Sequence, residues 1–371
     1  MRLLLLADAD SAHTRKWAVA LAAEGIVVGI FSLRKSTSDW HRTHSNITVF
    51  DEHGLPDAAF SGSAAGKLVY LKKVLPLRRL LKTFRPHLVH AHYATSYGLL
   101  GRLCGFHPFV LSAWGSDVMN FPQRNFINRF LLRGNLSAAD VVLATSPTIS
   151  NYIKQVVNRE VEITPFGIDA DAFCRKPVQR LFGAEAIVIG AVKALEKVYR
   201  HDALLAAFAE LHRQHPELPL RLLLVGDGTQ RAALEQQANE LGIAALTTFA
   251  GCVQFADVPE WHNQLDIFVN ISEYESFGVS VLEAMACEVP VIVTDTGGLA
   301  ELVQQNVEGF RIPLTGTAEL VEHLHKLSTN AALRRKMGAA GRATVLRSYT
   351  WANNLRQMIG IYKRLAPNSG I

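Results

Sequence analysis

The sequence predicts an α/β chain of two doubly wound, parallel-sheet domains. Three observations carry this. Short apolar runs of strand length alternate with helix-like stretches that Gly or Pro ends, along most of the chain before Thr315. The stretch Leu265–Glu301 reads as strand, polar loop, helix, strand, a Gly297-Gly298 turn and a second helix. Strands that return through helices pair in parallel, with helices on the sheet faces. The chain has 371 residues, too many for one typical domain. With 49% hydrophobic and 19% charged residues, each half can bury a core.

In chain order, Met1-Arg-Leu-Leu-Leu-Leu is too short for a secretory leader and reads as the first strand, Leu3–Ala7. Thr14–Glu24 is a helix, Gly25 stops it, and Val27–Phe31 is the next strand. Asp8-Ala-Asp10-Ser-Ala-His13 is the first strand-to-helix loop, the place where doubly wound sheets bind ligands. Asp10 and His13 are candidate contacts there; a helix cap and a solvated His explain the same residues. Gly66–Arg85 carries Lys67, Lys72, Lys73, Arg78, Arg79, Lys82 and Arg85 with no acid, beside a leucine-rich side. Pro76 is expected to divide it into two short helices. We read it as a contact with an anionic membrane surface, the other reading being a packed helix with its cations outward. The net charge of +5 suits that surface and would suit nucleic acid too, but no nucleic-acid motif accompanies it. No nucleic-acid partner is expected.

Pro86–Tyr93 is a buried strand ending in a polar loop. His90 and His92 share one of its faces, yet the sequence offers too few neighbouring ligands for a metal. Phe109–Ser112 is a strand whose loop, Ala113-Trp114-Gly-Ser-Asp117, holds an aromatic and a carboxylate. These suit stacking and hydrogen bonding to a ligand, or a packed ring and a helix cap. Val141–Ala144 is a strand, followed by Thr145-Ser-Pro147 and a helix. The boundary falls near Phe173 to Phe182, giving domains 1–175 and 183–347 and a terminal segment 348–371. The second domain opens with strand Ala186–Ala191 and a basic loop containing Lys193, Lys197 and Arg200. Leu220–Val225 ends in Gly226-Asp227-Gly228, which lacks the third Gly of a dinucleotide fingerprint. Thr248–Val253 contributes another segment, and Asp266 starts a strand.

Gly278 opens a helix, and a helix start presents N–H groups that attract phosphate. Glu275 precedes it, and Glu283 lies five residues past Gly278, about 7–8 Å along the axis. Carboxylates beside an anion site are good acceptors for sugar hydroxyls. A nucleotide-sugar, with hydroxyls at both ends of a diphosphate, fits; a surface Glu and a capping Glu fit the spacing as well. No apolar run reaches the roughly 18 residues of a membrane span. Cys104, Cys174, Cys252 and Cys287 show no pairing or metal spacing, which predicts a reducing cytoplasm.

Glu275-Ser-Phe-Gly-Val-Ser-Val-Leu-Glu283 resembles the E-x7-E motif of retaining glycosyltransferases of the GT4 type. Ala284-Met-Ala286, Pro290-Val-Ile-Val and Gly297-Gly298 resemble the same family, and the Ala-Asp-Ala opening with His13-Thr and Lys16-Trp17 resembles its cell-surface polysaccharide or O-antigen subgroup. The resemblance implies the GT-B fold, with two Rossmann-like domains facing a cleft and the terminal helix Tyr349–Leu365 crossing back. It implies catalytic roles for Glu275, Lys193, Lys197 and His92. Donor contacts are implied at Gly226, Asp227, Gly251, Val253, Phe277, Gly278, Val279 and Glu283, and acceptor contacts at His13, Trp114 and Asp117. Arg200 is a fallback for Lys197. The chain departs from the pattern at Lys193 (usually Arg), Glu288 (usually Gly) and Phe166 (often Asn), and lacks a glycine pair in the first loop.

The activity so implied is retaining transfer of a sugar from a UDP- or GDP-sugar to a lipid-linked or polysaccharide acceptor in cell-envelope glycan synthesis. No metal or other cofactor is expected, because no Asp-x-Asp signal demands a metal and a basic clamp can hold the diphosphate. The setting is cytoplasmic, at the inner face of the membrane. Two alternatives remain at this level: a sugar-nucleotide epimerase of the same fold, and a non-catalytic subunit that binds nucleotide-sugar or lipid carrier.

Overall fold

The computed structural model describes residues 1–52, 54–55 and 69–370. Gly66, Lys67 and Leu68 of the basic stretch lie outside the described residues. The chain forms two compact units, one of Met1–Pro165 with Asn354–Ile371 and one of Phe166–Asn353. Residues 166–175 thus group with the second unit.

The first unit is built on strands β1 (Arg2–Leu6), β2 (Val27–Phe31), β3 (Ile47–Phe50), β4 (Leu88–His92), β5 (Phe109–Ala113), β6 (Val141–Ala144) and β7 (Glu162–Ile163). They form one parallel sheet in the order β3-β2-β1-β4-β5-β6-β7. β1 and β4 pair Leu4 with Val89 and Leu6 with Ala91. These four side chains face a core shared with Leu77, Leu100, Leu132, Leu136, Ile149 and Ile153, which come from four helices on one side of the sheet. The alternate residues point the other way. There His90, fully buried, accepts or donates to Tyr362 Oη at 2.7 Å and Ser112 Oγ at 2.8 Å. Tyr362 belongs to the helix Trp351–Leu365, so the C-terminal segment covers this second face.

The second unit holds β8 (Ile187–Val192), β9 (Leu220–Val225), β10 (Thr247–Gly251), β11 (Ile267–Asn270), β12 (Val291–Thr294) and β13 (Gly309–Ile312). Their order is β10-β9-β8-β11-β12-β13, again all parallel. Each sheet reverses its winding once, between β1 and β4 in the first unit and between β8 and β11 in the second. Crevices open at the carboxyl ends of strands flanking such a reversal.

One expected element differs. Pro76 does not divide two helices; it lies in the first turn of the helix Val74–Phe84. A helix tolerates proline there because first-turn N–H groups have no partner to lose. The break comes earlier, at Lys72 and Lys73. The helix Val279–Ala286 ends as the family's glycine would end it: Glu288 takes a left-handed φ of 59°, and Val289 N–H donates to Ala284 O at 3.0 Å.

Candidate active site

In the second unit, three loops at the carboxyl edge are tied by backbone hydrogen bonds. Lys193 N–H donates to Val225 O at 2.8 Å, Leu195 N–H to Asp227 O at 2.9 Å, and Gly226 N–H to Gly251 O at 2.9 Å. The approach is so close that a Cβ on Gly226 would lie 2.1 Å from Lys193 O, and φ there is 139°. Only glycine fits. Glu196 fastens the same loops, accepting Thr229 N–H at 3.0 Å and Thr229 Oγ1 at 2.6 Å. A fourth loop joins through Glu273 N–H donating to Val198 O at 2.8 Å. This bond brings the segment after β11 against the segment after β8.

The result is an ion pair between Lys193 Nζ and Glu275 Oε2, both side chains more than four-fifths covered. Tyr199 lies under the ammonium, with Nζ 4.2 Å from the ring centroid. Burial and the adjacent Glu275 carboxylate raise the Tyr199 phenol above its ordinary range, so it stays neutral. Behind the loop, buried His201 meets Ala194 O at 3.1 Å, and its burial lowers its pKa. Glu275's own carbonyl accepts Gly298 N–H at 2.9 Å.

The helix Val279–Ala286 begins beside this pair. Its N-cap is Gly278 at φ 108°, and no side chain caps it or places a carboxylate in its first turn. Ser280 Oγ, in that turn, is buried without a hydrogen-bond partner. Such an end is set up for an anion. Glu283, buried on the same helix, has its Oε2 3.5 Å from Nε2 of His262, which is wholly buried. Asp227 is half exposed, with Oδ2 3.2 Å from Arg231. Gly251 (φ 76°) ends β10, and Val253 follows two residues later. Phe277 turns inward, 3% exposed and 5.8 Å ring to ring from Phe166; it offers ligand only its backbone, and Phe166 fills the position of the family's Asn by packing. Val279 is partly buried against the same core. Lys197 is exposed in the turn Lys197–Tyr199. Arg200 donates to Leu314 O instead of standing free as the fallback cation.

The first unit gathers a different set at the ends of β1, β4 and β5. Ring centroids of His92 and Trp114 are 4.8 Å apart, and those of Trp114 and His13 are 5.5 Å apart. His92 is buried, its Nδ1 lacks a hydrogen-bond partner, and burial with the nearby His13 lowers its pKa to about 3. It is therefore a neutral imidazole. Two expected ligand contacts are instead consumed by hydrogen bonds to neighbouring loops. Asp117 is fully buried and accepts Ala94 N–H at 2.7 Å, Gly115 N–H at 2.8 Å and Trp114 N–H at 3.2 Å; it positions Trp114. Asp10 accepts Thr37 N–H, Thr37 Oγ1, Ser36 Oγ and Arg15. Burial alone would raise its pKa, but these bonds hold it well below the usual carboxylate range. No cluster of metal-ligating side chains occurs among the described residues.

The order of these parts matches known proteins. A model of Glycosyl transferases group 1 covers residues 175–344, and a Glycosyl transferase 4-like model covers residues 2–146. This chain belongs to the GT4-type glycosyltransferases. The transferase is 28% identical over 288 residues to the N-acetyl-alpha-D-glucosaminyl L-malate synthase of Bacillus anthracis, covering 74% of each chain. It is 25% identical to a D-inositol 3-phosphate glycosyltransferase of Saccharomonospora viridis, over 93% of this chain and 86% of that one. Its fold is GT-B: Anabaena HepE, solved in complex with UDP, superposes with a TM-score of 0.81 at 20% identity, over 98% and 100% of the chains.

Tyr199, His201 and His262 were not singled out from the sequence. Tyr199 stands two residues after Lys197, but nothing in that spacing says which cation its ring will meet.

Proposed function

We propose that this transferase moves a sugar, with retention of anomeric configuration, from a UDP- or GDP-sugar to a lipid-linked or polysaccharide acceptor of the cell envelope. The observation that carries the donor half is the Lys193–Glu275 pair beside an uncapped helix start. On donor binding, Lys193 turns from Glu275 to the diphosphate, helped by Lys197 and the N–H groups at Gly278. Glu275 is then free to accept hydroxyls of the transferred sugar, and Glu283 those of the ribose. Gly226, Asp227, Gly251 and Val253 border the nucleotide. The bond from the anomeric carbon to the phosphate oxygen breaks, the bond to the acceptor oxygen forms on the same face, and the leaving phosphate takes the acceptor's proton. Fixed positive charge aimed at the leaving group stabilises that step. It supplies what a metal would otherwise supply, so we propose a metal-independent reaction.

The acceptor half rests on His13, His92 and Trp114, an aromatic group suited to a sugar ring. The complex of HepE with UDP supports a uridine donor for this chain. The names of the malate and inositol-phosphate relatives favour a second reading, a small anionic acceptor; the neutral state of His92 weighs against it. No described helix is long and apolar enough to cross a membrane. We propose that the enzyme works in the cytoplasm, at the membrane surface, through the basic helix Val74–Phe84 and the residues just before it, where Leu75 is 57% and Leu71 47% exposed.

The test is transfer from an α-linked sugar nucleotide to a membrane extract, with product stereochemistry read by NMR. The expected product is α-linked and forms in the presence of EDTA. A β-linked product overturns retention, and turnover of donor with no acceptor present points to the epimerase reading.

A further inference from the structure

The helix Phe126–Ala138 leaves an unusual group in solvent. Phe126 is 81% exposed, Phe130 69% and Ile127 52%. They are flanked by exposed Arg124, Arg129 and Arg133, and the Arg129 guanidinium is braced on Gln155 O at 2.8 Å. The helix does not need these rings to stay in place. Its other face buries Leu132 and Leu136, Asn135 Nδ2 donates to Ala94 O at 3.0 Å, and Asn125 caps its start by accepting Asn128 N–H at 2.9 Å.

Its neighbours share the same charge character. The helix packs on Ser96–Cys104, and that one packs on Val74–Phe84. These three and the helix Pro147–Val156 cover one face of the first sheet, and their sequences contain Lys and Arg but not one Asp or Glu. Of the acids beside these helices, Asp117 is held by backbone N–H groups and Asp140 by His107 and Phe109 N–H, while Glu160 is exposed past the end of Pro147–Val156. A bare apolar cluster rimmed by cations, on a layer with no acid, complements a surface that is apolar inside and anionic at its edge. At 13 residues, about 20 Å, the helix can lie in a bilayer surface but not cross it.

We infer that Phe126, Ile127 and Phe130 form a wedge that enters the headgroup region of an anionic lipid bilayer. The inference rests on the membrane reading above and adds a second, separate element to it. Phe126 is the first residue of a helix that follows β5 in a parallel sheet, so the wedge stands at the carboxyl edge of the sheet, as Trp114 does. A wedge there brings the aromatic group to the height at which a lipid-linked acceptor presents its sugar.

The experiment is co-sedimentation of the full chain with vesicles of phosphatidylcholine, with or without phosphatidylglycerol. The unaltered protein should pellet with the anionic vesicles only. A Phe126→Ser, Phe130→Ser double variant should bind them about tenfold or more weakly, with an unchanged melting temperature and an unchanged shift on donor binding. If it binds as well as the parent while Leu75→Ser weakens binding, the basic helix is the membrane contact and the wedge is refuted. If the parent itself ignores anionic vesicles, both membrane readings fall. If light scattering shows an oligomer that the double variant dissociates while vesicle binding stays unaltered, a second copy of the chain covers the patch and the inference is overturned.

Discussion

The two units place unlike chemistry at the same topological position. At the reversal between β1 and β4, the first unit gathers His13, His92 and, from β5, Trp114. At the reversal between β8 and β11, the second gathers Lys193, Glu275, Tyr199 and an uncapped helix start. One group is a set of packed aromatic rings, the other an ion pair. A shared sheet architecture thus fixes where a ligand binds, and the loop residues decide what it is. The ionic group suits a nucleotide diphosphate, and the aromatic one a sugar acceptor.

The largest expected effect is at Lys193. Lys193→Ala should lower kcat/KM about 10²–10³-fold, the usual loss when a fixed electrostatic partner of the developing charge is removed. Next comes Trp114→Ala, which should raise the acceptor KM about tenfold by removing a stacking face, with the donor KM unchanged. Initial rates with each substrate varied in turn separate the two. If the Trp114 variant changed donor KM and the Lys193 variant acceptor KM, the division of chemistry between the units would be wrong.

A smaller effect concerns pH. Burial is the main cause holding His92 at about 3 and His90 well below its ordinary range. Unfolded histidines take up protons near pH 6.5, whereas these do not while folded, so acid favours unfolding. Each should cost about 1.4 kcal/mol per pH unit as pH falls below about 6, until the folded pKa is reached. Melting temperature should therefore drop between pH 7 and 5, and His92→Gln should flatten the curve. An equal slope in the variant would show that His92 titrates freely.

The smallest effect is at Glu288, whose left-handed φ of 59° costs a side chain what glycine does not pay. Glu288→Gly should add roughly 0.5–1 kcal/mol, about 1–4 °C in melting temperature. A drop instead would mean the exposed Glu288 side chain makes a compensating contact.

Much of the fold was legible in sequence because its strands are short apolar runs closed by breakers. Val27–Phe31, Val141–Ala144 and Leu220–Val225 have the bounds that the sequence pattern predicts. The ionic site was less legible. Its key pair joins residues 82 apart in sequence, through a backbone bond from Glu273 to Val198 that no side-chain pattern encodes. Asp10 and Asp117 look like ligands in sequence because they are polar residues in strand-end loops. Their partners, Thr37 and Ala94, are 27 and 23 residues away, and only the fold shows that those carboxylates are spent. Pro76 misled for a local reason, since a first-turn proline and a helix-breaking one look alike in sequence.

The central claim is that the second unit's ionic group binds the donor. Its most direct measurement is the thermal shift produced by a panel of UDP- and GDP-sugars on the parent, Lys193→Ala and Trp114→Ala proteins. At about a hundredfold excess over Kd, binding adds roughly 2.7 kcal/mol of stability, a shift of several degrees. The account predicts that one donor stabilises the parent and the Trp114 variant alike and that Lys193→Ala loses most of the shift. A full shift in the Lys193 variant would contradict it.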